Sequence, residues 1–170
     1  ATPGMFSYLA PGQSLVLSYT VEVEDKSLAK NSATVIITIT GANNTPMINS
    51  EADKKVGLVK ETGNLANGAA DPTAVMSISK TLTAVDADAG ATLTWSVVGT
   101  PDATYGTFMI SPSGTWTYTL NNLDDDTQKL NEGDSVTLDF LVQVSDGLPG
   151  GTVQETVKIT ISGTNDSPTV

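Results

Sequence analysis

The sequence predicts an all-β chain: one complete two-sheet sandwich preceded by the last strands of another. Three observations carry that prediction. Apolar residues alternate with polar ones at the period of a strand, in short runs separated by turn residues. Thr, Ser, Val and Gly dominate, while Arg is absent and Gln and Glu are scarce, a composition suited to strands rather than helices. And the chain repeats itself. At 170 residues it is long enough for one ordinary domain and a substantial extra piece, and at 39% hydrophobic it can bury a core.

The repeat sets the organisation. LAPGQSLVLSYTVEVED at 9–25 matches LNEGDSVTLDFLVQVSD at 130–146, with Leu9, Gly12, Ser14 and Asp25 answering to Leu130, Gly133, Ser135 and Asp146. VIITITGANNTP at 35–46 then matches VKITISGTNDSP at 157–168, so one residue has been gained in the intervening turn. The first 48 residues therefore read as the closing strands of a preceding repeat plus a linker, and 49–170 as a complete copy. Gly41–Ile48, rich in Asn, Thr and Pro, has linker chemistry.

Seven strands are predicted in the complete copy, at 56–60, 75–85, 91–99, 106–111, 114–121, 134–145 and 152–162. Trp95 lies on the apolar side of the third, between Leu93 and Val97. Trp116, Tyr118 and Leu120 alternate with Thr in the fifth, and Ser111-Pro112-Ser113-Gly114 is a tight turn feeding it. Val136, Leu138, Phe140, Val142 and Val144 line one face of the sixth; Val153, Val157, Ile159 and Ile161 line the seventh. Asp124–Asp126 and the residues after them read as a solvated acidic loop, with a short helical turn as the alternative. Seven short strands at this spacing make a sandwich of the immunoglobulin or cadherin-like kind.

Absences narrow the function. The chain has no Cys and no His, and its eight cations are all Lys. That removes catalytic triads, cysteine nucleophiles, imidazole bases and ordinary zinc sites. A net charge of -11 opposes nucleic acid, where cationic side chains supply most of the affinity. No apolar run approaches the roughly 20 residues that span a bilayer. The natural counterparts of such a surface are cations.

The informative acids sit at strand ends. With strands running alternately up and down, the second ends in Asp86-Ala87-Asp88 and the sixth in Asp146-Gly147, both at the pole where the linker bearing Asn43 and Asn44 arrives. Glu61, early in the first strand, is expected to reach the same pole. Crowded carboxylates raise one another's pKa. Calcium relieves the crowding, since it takes 6–8 oxygen ligands in flexible geometry. Calcium is therefore the expected cofactor.

VDADAG (85–90), YGTFMISPSGTWTYTLNN (105–122), LNEGDSVTLDFLVQVSDG (130–147) and VKITISGTNDSP (157–168) together resemble the VCBS repeat, a cadherin-like tandem domain of giant bacterial surface and RTX-type adhesins. The resemblance covers essentially the whole chain. It implies a secreted, extracellular extender module with calcium near the inter-repeat linkers. It also implies ligand roles for Glu61, Asp86, Asp88 and Asp146, with Asn165 and Asp166 serving the next junction. The chain departs from the pattern at Asn43-Asn44, where the family and its own second linker have Asn-Asp. The loss of that carboxylate weakens the site expected there.

The resulting expectation is a calcium-stiffened spacer of a cell-surface adhesin or biofilm matrix protein, partnered by neighbouring repeats. It is not expected to be an enzyme: paired carboxylates of glycosidase type are the only catalysts available, and nothing forms a pocket around them. Two alternatives remain. The half repeat at 6–40 has apolar-faced strands without a sandwich: either it belongs to a longer chain cut there, or it completes a sandwich in another molecule, giving a filament subunit or swapped dimer. Tyr105 or Trp116, if exposed, would suit a carbohydrate-binding module.

Overall fold

A computed structural model describes residues 4–65 and 67–166. Two compact units are present. One takes in the chain up to Asn44 together with Asp86–Ala91; the other holds Thr45–Val85 and everything from Thr92 onward.

The second unit is a sandwich. Its first sheet has four strands in the order β4 (Val56–Lys60), β11 (Thr152–Ser162), β10 (Ser135–Ser145) and β7 (Thr94–Val97). The facing sheet has three, β5 (Ser77–Thr81), β9 (Thr115–Leu120) and β8 (Gly106–Ile110). A short pair, β3 (Met47–Ile48) with β6 (Ala84–Val85), forms where the chain enters the unit. All pairings are antiparallel except β4, which lies parallel to β11 and turns out to place the critical carboxylate.

Seven strand runs match the sequence reading, with two differences. The stretch 75–85 is not one strand: β5 pairs with β9 in one sheet and β6 with β3 in another. The break falls at Leu82, whose side chain is buried and whose amide donates to the Gly114 carbonyl. The acidic stretch closes a single helical-type turn, Gln128 N–H donating to the Asp124 carbonyl, between the two readings offered for it.

The core follows from the alternation. Phe140, Val142, Val144, Val157, Ile159 and Ile161 face inward from β10 and β11 and are almost wholly buried. Phe108 stacks on Phe140 with ring centroids 4.4 Å apart, and Tyr118 tilts against the same ring at 5.7 Å. Trp116 is fully buried, its indole N–H donating to the Lys54 carbonyl at 2.9 Å. This overturns the carbohydrate-stacking reading of Trp116: a ring with no exposed face cannot receive a sugar. Gly57 is needed where β4 crosses this ring, since a Cβ there would sit 3.0 Å from Trp116 and 2.7 Å from Ile159. The Ser111–Gly114 turn is also as read, with Gly114 at φ +90° and its N–H donating to the Ser111 carbonyl.

In the first unit, β1 (Ser14–Glu24) and β2 (Lys30–Thr40) form an antiparallel hairpin that is a sheet by itself. Its register reproduces that of β10 and β11: Tyr19 lies opposite Val35 where Phe140 lies opposite Val157.

Trp116→Ala removes a large buried ring and its hydrogen bond, and should cost about 3–5 kcal/mol. Urea unfolding followed by Trp95 fluorescence reads the loss; a cost below about 1 kcal/mol would contradict the core described.

Candidate functional site

Glu61 defines the first candidate. In β4, Gly57 and Val59 point inward, and period-two alternation carries the series on to Glu61, so a carboxylate occupies a core-type position just past the strand. The Glu61 side chain is fully buried. Its Oε1 accepts from the Thr164 N–H at 2.6 Å, while Oε2 is buried without a hydrogen-bond partner. The Thr164 hydroxyl is likewise buried, with no hydrogen-bond partner among the described residues.

The surroundings are tied together by backbone. Glu61 N–H donates to the Ser162 carbonyl, Asn64 N–H to the Asn165 carbonyl, and Thr62 N–H to the Asn122 side chain. Gly63 presses so closely on Thr164 that any side chain there would collide with it. An open pocket of about 290 Å³ beside these segments is lined by Lys60, Asp71, Thr164 and Asn165 among others.

The electrostatics are unfavourable to an ionised Glu61. Burial pushes its carboxyl above the ordinary glutamate value; the Thr164 N–H opposes the shift and the nearby Asp166 adds to it. Among the described residues no Lys pairs with it. The neighbouring Lys60 is committed elsewhere, its Nζ 2.7 Å from Asp71. That contact and the Thr73 hydroxyl hold the Asp71 carboxyl at about 2. A buried, partnerless carboxylate oxygen with further oxygens around it suits a hard cation.

This corrects the expected position of Glu61. Because β4 runs parallel to β11, Glu61 lies where β11 ends, at Ser162–Asp166. Asp146 belongs to the loop between β10 and β11, at the opposite end of β11 and about 33 Å away along the strand. That second loop is where the chain enters the unit, for the Thr45 hydroxyl donates to the Gly150 carbonyl. Glu61 therefore keeps company with Asn165 and Asp166 and not with Asp146. The Asp146 Oδ1 accepts from the Leu148 N–H at 2.7 Å, and Gly151 lies so close to the carboxylate that no side chain fits there.

The second candidate lies in the first unit, where the structure brings Asn44 and the Asp86–Asp88 turn together. Asp88, nearly buried, accepts from the Asn44 N–H at 2.9 Å and from its side-chain amide at 2.7 Å. Asp86 Oδ1 caps the Asp88 N–H at 2.8 Å, and its Oδ2 is buried without a hydrogen-bond partner. The Asn44 amide also donates to the Ser7 carbonyl. Asn43 is adjacent in the chain. Among the described residues, no three Asp or Glu side chains gather closely enough to hold a metal by themselves. Any cation at either place would depend on amide, hydroxyl and backbone oxygens as well.

Sequence reasoning missed Thr164, and a buried hydroxyl has no sequence signature. It also misjudged the end at which Glu61 lies, although the Gly57-Val59-Glu61 spacing already marked the residue as inward-facing.

With this geometry in hand, comparison with known proteins fixes the class. The chain belongs to the bacterial cadherin-like domain family, whose model matches residues 46–163. Its fold is accordingly a cadherin-like β-sandwich. Solved structures similar to it include protocadherin gammaB7 EC3-6 (13% identity, TM-score 0.45, covering 89% of this chain and 32% of that one). Drosophila N-cadherin EC1-4 matches at 16% identity and TM-score 0.39, covering 92% and 34%. The third cadherin domain of human protocadherin 7 matches at 12% and 0.36, covering 78% and 96%. This chain thus spans about a third of the length of the first two. A comparison with curated proteins gives no match. Among the described residues no helix is long and apolar enough to cross a membrane.

The pH dependence of stability follows from two opposite shifts. Glu61, raised when folded, stabilises fully below the ordinary value of 4.5 and loses that contribution as pH rises through its folded pKa. Asp71, depressed, contributes above 3.8 and loses it as pH falls towards about 2. In a chelator, Glu61→Gln should therefore flatten the decline in melting temperature above pH 4.5 and leave the acid limb unchanged. Parallel profiles for variant and wild type would refute the assignment.

Proposed function

We propose that this chain is a calcium-stiffened structural repeat, an extender segment of a bacterial cell-surface adhesin or matrix protein of the VCBS type. The observation that carries the reading is the buried Glu61 carboxylate, one oxygen without a partner, set beside the segment leaving the sandwich. Membership of the bacterial cadherin-like family supports an extracellular structural role over a catalytic one.

Glu61 would hold the ion at the outgoing end, with Asn165 and Asp166 as further donors. Asp86 and Asp88 would do so in the first unit, with Asn43 and Asn44 as neutral donors. The ion supplies positive charge where the fold has gathered oxygen. The protein's own part is to hold those oxygens in place before the ion arrives: Asn44 clamps Asp88 by two hydrogen bonds, and Thr164 fixes Glu61. Asn44 brings no charge, which keeps affinity low at the first group. Extracellular modules bind calcium at roughly 10⁻⁴–10⁻³ M, so such sites fill outside cells and empty inside. A chain that binds the ion only when folded would stay loose before export and stiffen after it.

Calcium at about a hundred times its dissociation constant adds about 2.7 kcal/mol, or about 5–10 °C in Tm for a sandwich of this size. Thermal melts in calcium and in chelator measure the gain, and calorimetric titration of wild type against Asp86→Asn/Asp88→Asn should show the stoichiometry fall. Superimposable melts would defeat the proposal.

A further inference from the structure

We propose that Asn67–Gly68, in the loop joining β4 to β5, is a self-modification site at which Asn67 loses its side-chain nitrogen as ammonia and becomes aspartate or isoaspartate. The loop lies wholly inside the sandwich unit, with strands on both sides of it. The chain has ten Asn, and Asn67 is the one followed by glycine. That matters because the nucleophile is the backbone nitrogen of the next residue, and a side chain on that residue crowds the approach. At Gly68 no atom lies within 4 Å of where a Cβ would stand.

The fold places the reacting groups. Leu65 and Ala69 are tied across a tight turn, the Leu65 N–H donating to the Ala69 carbonyl at 2.8 Å. Gly68 adopts φ +80°, the left-handed region that favours glycine. The Asn67 side chain curls over this turn, its Oδ1 accepting from the Ala69 N–H at 3.0 Å. That donor draws electrons from the carboxamide carbon and stays in place as negative charge builds on the oxygen. Asn67 is exposed, so water reaches the carboxamide. One contact opposes the reaction. The Gly68 N–H donates to the Leu65 carbonyl at 2.8 Å and must leave it before the nitrogen attacks. Conversion is therefore slow and proceeds through local openings of the turn.

Water is the one co-reactant required. Hydroxide removes the Gly68 amide proton, and the nitrogen bonds to the Asn67 side-chain carbonyl carbon, closing a cyclic imide. The bond from that carbon to the side-chain nitrogen breaks, and the nitrogen takes up a proton and leaves as ammonia. Water then opens the ring at either carbonyl. One opening gives aspartate; the other gives isoaspartate, whose main chain runs through the former side chain. Nothing is oxidised or reduced. Because the ring closes within one chain, a poor nucleophile suffices. Either product takes the net charge from -11 to -12. Isoaspartate also adds a backbone carbon between Leu65 and Ala69, inside the bridge that pairs Asn64 with Ala70. Asp146–Gly147 offers an internal contrast. Its Oδ1 accepts from the Leu148 N–H in the same way, but a carboxylate is a far poorer electrophile than a carboxamide.

The full chain, held at neutral and at mildly alkaline pH, is followed by intact mass, peptide mapping and anion exchange. A gain of about 1 Da, with one ammonia released per chain, should appear at Asn67 and quicken in proportion to hydroxide. Gly68→Ala should slow it by about tenfold or more, since the new methyl group crowds the nucleophile. In Asn67→Gln, whose longer side chain closes the ring poorly, it should be negligible over the same period. An unchanged sandwich melt shows that both variants fold. A mass that stays constant at alkaline pH would overturn the proposal. So would a gain that maps to another Asn, or equal rates in wild type and Gly68→Ala.

Discussion

An ionised carboxylate cannot rest in an apolar interior without a partner, and Glu61 is where this chain meets that constraint. The residue occupies a position that alternation reserves for the core, satisfies one oxygen with a backbone amide, and leaves the other without a hydrogen-bond partner among the described residues. At low pH a proton suffices. At neutral pH the alternatives are a standing penalty or a bound cation. Most acids here are solvated or, like Asp71, already paired with lysine. Glu61 is fully buried, and among the described residues no lysine pairs with it at the end where β11 leaves the sandwich.

The same logic separates the two candidate groups. Asp88 is also nearly buried, yet Asn44 satisfies both its oxygens; in that turn the buried oxygen left over is Asp86 Oδ2. An Asp at position 44 would keep the backbone hydrogen bond to Asp88 but bring charge and repulsion in place of the side-chain amide's donation.

Much of the fold was legible because alternation is a local property. Val136 to Val144 and Trp116 to Leu120 announce both their strands and their buried faces, and the repeat announces that β1–β2 is a second edition of β10–β11. What escaped was non-local. The switch at Leu82 depends on β3, two residues whose pairing no local pattern reveals. The end at which Glu61 lies depends on β4 joining β11 in parallel, a choice between distant partners. The Asp86-Ala-Asp88 turn was readable from spacing alone, since an Asp two residues ahead of an amide caps it. The linker bearing Asn44 was expected at that pole from chain order, but its amide as the partner of Asp88 has no local signature. The burial of Trp116 removed a ligand-binding role that an aromatic in sequence leaves open.

The most direct test of the central claim is a carbon-13 NMR titration of the Glu61 carboxyl, assigned by its loss in Glu61→Gln, with calcium and without. The account predicts a midpoint above the ordinary glutamate value in chelator and a marked fall once calcium is present, with a chemical-shift change at neutral pH on adding the ion. A midpoint in the ordinary range that does not respond to calcium would contradict it.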